Sequence, residues 1–231
     1  IDIAKKMTAI GYPTADDFVM NTFKTVLNGY LISIRASDFG VPHGKTEIFN
    51  WASNADIANA GGMLAMAYKF RDSLDPASDY LGAARRTMSY LLGNNPLGKS
   101  YVTGYGTNPP RNPHHRFWAK QANIDFPSAP PGMLVGGPNG KYDGTVLGAK
   151  YLGDGKFGFI APSYRDSAPE KLYLNNTMNF CNPLDTTPWP RHAAGKEGGI
   201  ACYNDDIGYY MTNEVAINWN SAFFWFSALL N

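Results

Sequence analysis

Apolar residues recur with helical spacing in four stretches of this 231-residue chain, at 14–33, 53–73, 76–93 and 212–230. No strand-like alternation separates the first three stretches, and this predicts a mainly α fold in which helices pack on helices. Between residues 94 and 205 the helical period disappears, and Gly, Pro, Asn and aromatic residues dominate. A loop region of that length usually carries function or contains small elements of its own. We predict one helical domain over residues 1–231, with short strands at 142–152 and 156–160.

Local signals place the ends and faces of these helices. Thr14 is the predicted N-cap of the first helix, Pro76 occupies the first turn of the third, and Gly93 ends the third in a left-handed conformation. The first helix is expected to turn one apolar side toward the core, formed by Phe18, Thr22, Val26 and Leu27. The last helix is so apolar that we expect it to be buried on most sides.

The charge balance argues against a charged partner. The chain has 20 Lys and Arg against 19 Asp and Glu, a net charge of +1, which gives no electrostatic reason to expect nucleic acid or an anionic membrane surface. Charged residues make up 17% of the chain and aromatic residues 14%, a composition that suits a surface for uncharged sugars. No apolar run reaches the roughly 18 residues that a membrane span requires.

The two cysteines leave two alternatives open. Cys181 and Cys202 lie in the loop-rich region and close a disulfide if the protein is exported. The second alternative is that both cysteines are buried free thiols. Their spacing lacks a CxxC or HxxxH companion and does not indicate a zinc site.

Two polar clusters concentrate groups that can bind or react. The first is the loop 100–116, which carries hydroxyl groups, aromatic rings and rigid Pro turns directly after a predicted helix. The second is the segment 203–214, which leads into the apolar last helix and places the carboxylate of Glu214 at a hydrophobic boundary.

Both clusters resemble signatures of the family 9 glycoside hydrolases, the cellulases. The first loop matches the histidine-containing signature at Ser100, Val102, Thr103, Gly106, Asn108, Pro113, His114 and Arg116. The second segment matches the other signature at Tyr203, Asp205, Tyr210, Glu214, Ala216, Asn220 and Ser221. Shorter similarities occur at 51–54, 90–98 and 134–138, so the resemblance covers 14–138 and 203–230.

The resemblance implies the C-terminal part of an (α/α)6 barrel with long loops, interrupted by a loop-rich insertion at 139–202. The implied activity is hydrolysis of β-1,4-glucosidic bonds in cellulose or a related β-glucan, with inversion. Inversion requires two carboxyl groups roughly 6.5–9.5 Å apart, one as acid and one as base. In the family the base is an Asp of an Asp-Ala-Gly-Asp motif in the first half of the barrel, and this sequence contains no such motif. We therefore expect a fragment that needs the N-terminal part of its catalytic domain and is inactive alone.

The resemblance also assigns roles to residues. Glu214 is the expected general acid, and its pKa must be raised by its surroundings because a helix N-terminus would lower it. His114 and Arg116 alternate on a Pro-stiffened loop, so both can hydrogen-bond one sugar, whereas His115 points away and is expected to be structural. Tyr203 is expected to reach the same sugar. Asp205 is a further catalytic candidate. Three roles are open to Asp205 and to its neighbour Asp206: a direct catalytic role, positioning of Tyr203, or capping of the turn.

Several alternatives remain at this level. Trp51 either stacks on a pyranose ring or is a buried core residue. No cofactor is required, and a structural calcium ion is compatible with the family, although Asp143, Asp154 and Asp185 have no calcium-loop spacing. We expect a secreted enzyme, endoglucanase or cellobiohydrolase. The rival function is a non-catalytic glucan-binding protein on the same fold, and a weaker one is an enzyme for another neutral or amino sugar chain.

Overall fold

The structure is a computed structural model. It describes residues 6, 9–11, 15–43, 49–139, 149–153, 156–160, 172–174, 200, 203, 205–207 and 210–231. Cys181, Cys202 and most of the predicted insertion lie outside the described residues, so the alternatives stated for the cysteines stay open.

The described part of the chain is mainly helical, as predicted. Its helices are α1 (Ala15–Ala36), α2 (Ser53–Lys69), α3 (Tyr80–Leu91), α4 (Tyr210–Asn213) and α5 (Ile217–Leu230), with a 3-10 turn at Arg71–Ser73. Helix α2 packs against both α3 and α5, and α1 contacts α2 and α3. The core between these helices is apolar and extends into the loops through Tyr101, Val102 and Leu134.

Helix α1 turns a different side to the core from the one predicted. Leu27, Leu31 and Ile34 are buried, whereas Phe18 is 71% exposed. Phe18 is nine positions from Leu27, and at about 100° per residue it lies on the opposite side of the helix. The prediction that Phe18 shares the face of Leu27 is therefore wrong, and the true core stripe follows the 27, 31, 34 spacing.

Helices α2 and α5 approach closely at a glycine. Gly61 on α2 is buried, and a Cβ at this position would lie 2.4 Å from both Cε1 and Cζ of the Phe226 ring on α5. Phe226 itself is fully buried, so its ring has no free space to move into. The alternation of small residues in α2 thus serves close helix packing, as the sequence predicts.

This contact yields a stability prediction. We expect Gly61→Ala to lower the free energy of unfolding by about 1–3 kcal/mol, because the added methyl group overpacks the α2–α5 contact. Gly62→Ala is the matched control. Its Cβ would meet Phe226 only at 3.8 Å, so the better helix propensity of Ala should leave stability equal or higher. Urea denaturation of both variants checks the pair, and equal losses in both would contradict the packing described here.

Helix α3 begins later and ends where the sequence indicates. Asp79 is its N-cap, and its carboxylate accepts the Gly82 N–H at 2.9 Å, whereas the first turn was predicted at Pro76. The residues before it form a separate turn, in which Asp75 accepts from the Ala77 N–H and the Ser78 hydroxyl. At the other end Gly93 has φ +123°, which confirms the predicted left-handed cap.

The predicted last helix is interrupted at the residue of greatest interest. Glu214 follows α4 and precedes α5, and Ala216 is extended, with φ −132° and ψ 149°. In a continuous helix the Glu214 carbonyl would accept a bond from four residues ahead. It accepts the Gly136 N–H at 2.8 Å instead. The predicted continuous helix over 212–230 is therefore wrong at Glu214, because loop residues compete for its backbone.

Three strands occupy part of the predicted insertion. They are β1 (Ala149–Gly153), β2 (Lys156–Ile160) and β3 (Leu172–Leu174), paired antiparallel in the order β1-β2-β3. The register joins Ala149 to Phe159 and Gly158 to Leu174. The predicted strand at 156–160 is confirmed, and the one at 142–152 overlaps β1. Among the described helices, none is both long and apolar enough to cross a membrane.

Candidate active site

Three loop segments meet at the backbone of Glu214. His114 forms a parallel bridge with Glu214, and its N–H donates to the Asn213 carbonyl at 2.7 Å. On the other side, Gly136 and Gly137 donate their N–H groups to Glu214 and Thr212 at 2.8 and 2.7 Å. These bonds bring the two signature segments and the 134–138 segment together, as their resemblance to one family implies.

The Glu214 carboxyl is half-buried and has an aromatic donor. The Trp51 indole N–H donates a hydrogen bond to it. Burial raises the pKa of Glu214 above its ordinary value, and this effect exceeds the lowering by the charge of His114 and by the Trp51 bond. A carboxyl group with a raised pKa keeps its proton to higher pH, which is what a general acid needs.

Aromatic rings form one wall beside this carboxyl. Trp51 lies edge-on to Tyr210 at 5.5 Å between ring centroids, and His114 lies 5.7 Å from the same Tyr210 ring. Trp51 is 50% exposed, so it is not a core residue. The structure excludes the second alternative for Trp51, a buried core residue, and places its exposed ring beside the Glu214 carboxyl.

A hydrogen bond to the backbone of Ile207 fixes the orientation of the His114 ring. Its Nδ1 lies 2.5 Å from the Ile207 carbonyl, which can only accept, so Nδ1 carries a proton. The Nε2 atom is then the nitrogen left to interact with a bound molecule. Arg116, two residues later, is exposed.

A buried amide supports this arrangement. Asn213 is fully buried; its Oδ1 accepts the Tyr203 hydroxyl at 2.5 Å, and its Nδ2 donates to the Asn112 carbonyl. The same Nδ2 lies 3.4 Å from Asp205 Oδ1 and 3.5 Å from the Asp206 carbonyl. Asn213 therefore links the loop that bears His114 to the segment that bears Glu214.

Tyr203 lies beneath the site and not on its surface. It is 4% exposed, its ring contacts Tyr101 at 5.0 Å, and its hydroxyl is bonded to Asn213. Burial first, and then the nearby charge of Asp205, raise the pKa of Tyr203 well above its ordinary value. This position corrects the expectation that Tyr203 touches the sugar, because its hydroxyl is already used within the protein.

Asp205 joins the segment 203–214 to the loop 100–116. Its carboxylate accepts the backbone N–H groups of Arg111 and Asn112 at 2.9 Å each, and Lys99 Nζ lies 3.2 Å away. Both oxygens are thus occupied by donors, and the side chain is 16% exposed. Such contacts suit a carboxylate that holds a loop.

A second clasp joins the loops at Gln121. Its Nε2 donates to Asp206 at 2.9 Å, and its Oε1 accepts the Ile207 N–H at 2.7 Å. Asp206 therefore holds its segment to Gln121, and the choice among the three roles stated for Asp206 stays a prediction. His115 accepts the N–H groups of Phe117 and Trp118 at 3.0 and 3.2 Å, which confirms its structural role.

Sequence reasoning singled out Glu214 and His114 but missed several supporting residues. Asn213 and Gln121 bind through side-chain amides, and Lys99 through an ion pair and a bond to the Asn108 carbonyl, so none matches a pattern that signals catalysis. The one available signal for Asn213 was its position next to the predicted acid.

Metal binding has no support among the described residues. No group of three or more His, Cys, Asp or Glu side chains within them could hold an ion. Asp143, Asp154 and Asp185 lie outside the described residues, so the calcium prediction stays a prediction.

The chain belongs to Glycosyl hydrolase family 9, whose sequence pattern matches residues 4–227. It is 30% identical over 226 residues to a cellulose 1,4-beta-cellobiosidase of Acetivibrio thermocellus. That match covers 96% of this chain but 20% of the relative. The chain thus spans about a fifth of the length of that relative.

Solved structures give the same fold. One is a metagenome-derived glycoside hydrolase family 9 endoglucanase, with a TM-score of 0.62 and 26% sequence identity. The match covers 95% of this chain and 29% of the endoglucanase chain. A second structure, AaCel9A in complex with a cellobiose-like isofagomine, has a TM-score of 0.62 at 28% identity, and the match covers 96% of this chain and 33% of the AaCel9A chain. These neighbours are (α/α)6 barrel enzymes, which confirms the predicted fold class.

Proposed function

We propose that this chain supplies the acid half of an inverting β-1,4-glucan hydrolase, with Glu214 as the general acid. One observation carries the proposal: the half-buried Glu214 carboxyl, its pKa raised by burial, lies among Trp51, His114 and Tyr210 where two family signatures meet. Glu214 protonates the glycosidic oxygen as the bond to the anomeric carbon breaks, and water takes the leaving group's place from the opposite face.

The groups around the acid bind the sugar. Trp51 presents an exposed ring for a pyranose face while its N–H holds the acid. His114 presents Nε2 to a hydroxyl because Nδ1 is bound to Ile207. Arg116 is exposed on the same loop and adds charged donors. These contacts would orient the scissile bond over Glu214.

In this proposal Asp205 and Tyr203 do not contact the sugar, and they position residues that do. Asp205 was a catalytic candidate, but its oxygens are engaged by Lys99 and by backbone N–H groups, so it positions the His114 loop instead. Tyr203 holds Asn213 from below. The base that activates water is then a carboxylate of the preceding part of the catalytic domain.

Exposed apolar side chains support a partner of that kind. Phe18 and Ile32 on α1 are 71% and 65% exposed, and Phe224 and Trp225 on α5 are 69% and 65% exposed. Such exposed apolar side chains on two helices of a barrel fold form surfaces that further helices of the barrel would cover. As with bacterial relatives that act on cellulose, we propose that the whole enzyme is secreted.

A chimera tests the proposed reaction. Residues 1–231 replace the matched part of the metagenome-derived endoglucanase, and cello-oligosaccharide hydrolysis is followed by proton NMR. We expect the first-formed reducing sugar to be the α-anomer, because inversion of a β-bond gives it. First appearance of the β-anomer would contradict the mechanism. A folded chimera without activity, binding glucan all the same, would favour the non-catalytic alternative.

The pH profile of the chimera reports on the Trp51 bond. Activity should fall as pH rises through the pKa of Glu214, because the acid then loses its proton. Trp51→Phe keeps a ring but removes the N–H that lowers this pKa, so the alkaline limb should move to higher pH. Trp225→Phe makes the same change at an exposed indole on α5 and is the control, which should leave the limb in place. An unchanged or lowered limb for Trp51→Phe would contradict the assignment.

A further inference from the structure

The loop that follows His114 is shaped into a rigid platform. His115 accepts the N–H groups of Phe117 and Trp118 at 3.0 and 3.2 Å, which turns the chain back on itself. Its ring also stacks on Trp118, with centroids 4.2 Å apart and planes at 28°. One side chain therefore fixes both the backbone and the indole of this turn.

Both ends of the loop are bound to a single residue near the acid. His114 Nδ1 bonds to the Ile207 carbonyl at 2.5 Å, and Gln121 Oε1 accepts the Ile207 N–H at 2.7 Å. Gln121 also donates to Asp206 at 2.9 Å. The platform, residues 115–121, is thereby held to the segment that leads into Glu214.

The platform turns apolar rings to solvent. Phe117 is 59% exposed, and Trp118 is half-buried and meets it edge-on at 6.2 Å. Neither residue belongs to the packed core of the described residues. A large exposed ring costs solvation free energy, and its fixed placement in the loop that bears His114 points to a ligand.

We propose that Phe117 and Trp118 form an additional sugar-binding platform, on which a pyranose ring of the β-glucan stacks beyond the residue held at Glu214. The proposal rests on the proposed function, because it places the platform along the same polysaccharide. Neutral sugars present flat C–H faces that pack on aromatic rings, and their hydroxyls need no charged partner.

The occupant is a glucan chain because the platform continues the candidate active site. His114 belongs to the wall around Glu214 and is the residue directly before the platform. The side chains of Arg116 and Lys120 at its edges are exposed and offer donors to hydroxyls. A further protein surface is the other occupant, and it would make the platform indifferent to oligosaccharides.

Calorimetric titration of the 231-residue chain with cellobiose and with cellohexaose tests the platform. We expect Phe117→Ala to weaken cellohexaose binding about tenfold and to leave cellobiose binding within about twofold, since only the longer chain reaches the platform. Phe117→Tyr keeps the ring and should bind as the unaltered chain does. Phe224→Ala removes a ring of similar exposure from α5 and is the matched control, expected to bind normally.

The outcomes separate the two proposals. Equal binding of cellohexaose by the chain and by Phe117→Ala would overturn the platform while leaving the proposed function intact. An equal loss in Phe224→Ala would overturn it too, because the effect would then be unspecific. Absence of any glucan binding by the unaltered chain would also overturn the platform, whereas the proposed function is tested by the chimera.

Discussion

Glu214→Gln should lower glucan hydrolysis by the chimera by about 10²–10⁴-fold. The amide keeps the size of the side chain and can still meet the Trp51 indole, but it has no acidic proton to give to the leaving oxygen. The loss should fall on kcat and leave KM nearly unchanged, because the proton moves only in the transition state. Initial rates of reducing-sugar release across substrate concentrations measure both constants.

The control for this result is a carboxyl outside the site. Asp72 lies in the 3-10 turn, its side chain is 88% exposed, and its contact is Arg71 at 3.9 Å. Asp72→Asn makes the same carboxyl-to-amide change and should keep the full rate. A Glu214→Gln chimera that retains more than about a tenth of the rate would contradict the assignment of the acid.

Asn213→Asp should destabilise the chain more than Asn213→Ala does, although Asp is the closer match in shape. The Asn213 Nδ2 donates to the Asn112 carbonyl and faces Asp205 and the Asp206 carbonyl. A carboxylate in this buried place would keep the Tyr203 hydroxyl as donor to one oxygen, but its other oxygen would face acceptors only. We expect the free energy of unfolding to fall by about 3–5 kcal/mol for Asp and about 1–3 kcal/mol for Ala.

Urea denaturation measures both variants, and an exposed asparagine provides the control. Asn218 lies in the first turn of α5 and is exposed, so Asn218→Asp places an anion at a helix N-terminus and should cost nothing. Asn213→Asp with a stability equal to that of the unaltered chain would show that the amide is not the link between the two site segments.

Local patterns predicted the helices well because their signals lie within a few residues. The cap at Gly93 and the close packing of α2 both follow from residue type alone. The face of α1 was misjudged, because Phe18 is apolar but lies half a turn from the buried stripe of Leu27 and Leu31. Which apolar residues of a helix are buried depends on its neighbours, and these are distant in sequence.

The candidate site was predictable only in part for the same reason. The signature residues named Glu214 and His114 but could not show that Glu214 leaves the helix to pair with His114 and Gly136. Asp205 looked like a second catalytic carboxylate, since its donors are backbone N–H groups that sequence does not reveal. Tyr203 looked available to substrate until its burial against Tyr101 was known.

The most direct test of Glu214 as the acid compares two leaving groups. Dinitrophenolate departs without protonation, whereas the sugar oxygen of a glucan needs a proton. In the chimera, Glu214→Gln should lose most of its rate on cello-oligosaccharides and keep most of it on dinitrophenyl β-cellobioside. Equal losses on the two substrates would contradict the account, because Glu214 would then serve binding or structure and not proton transfer.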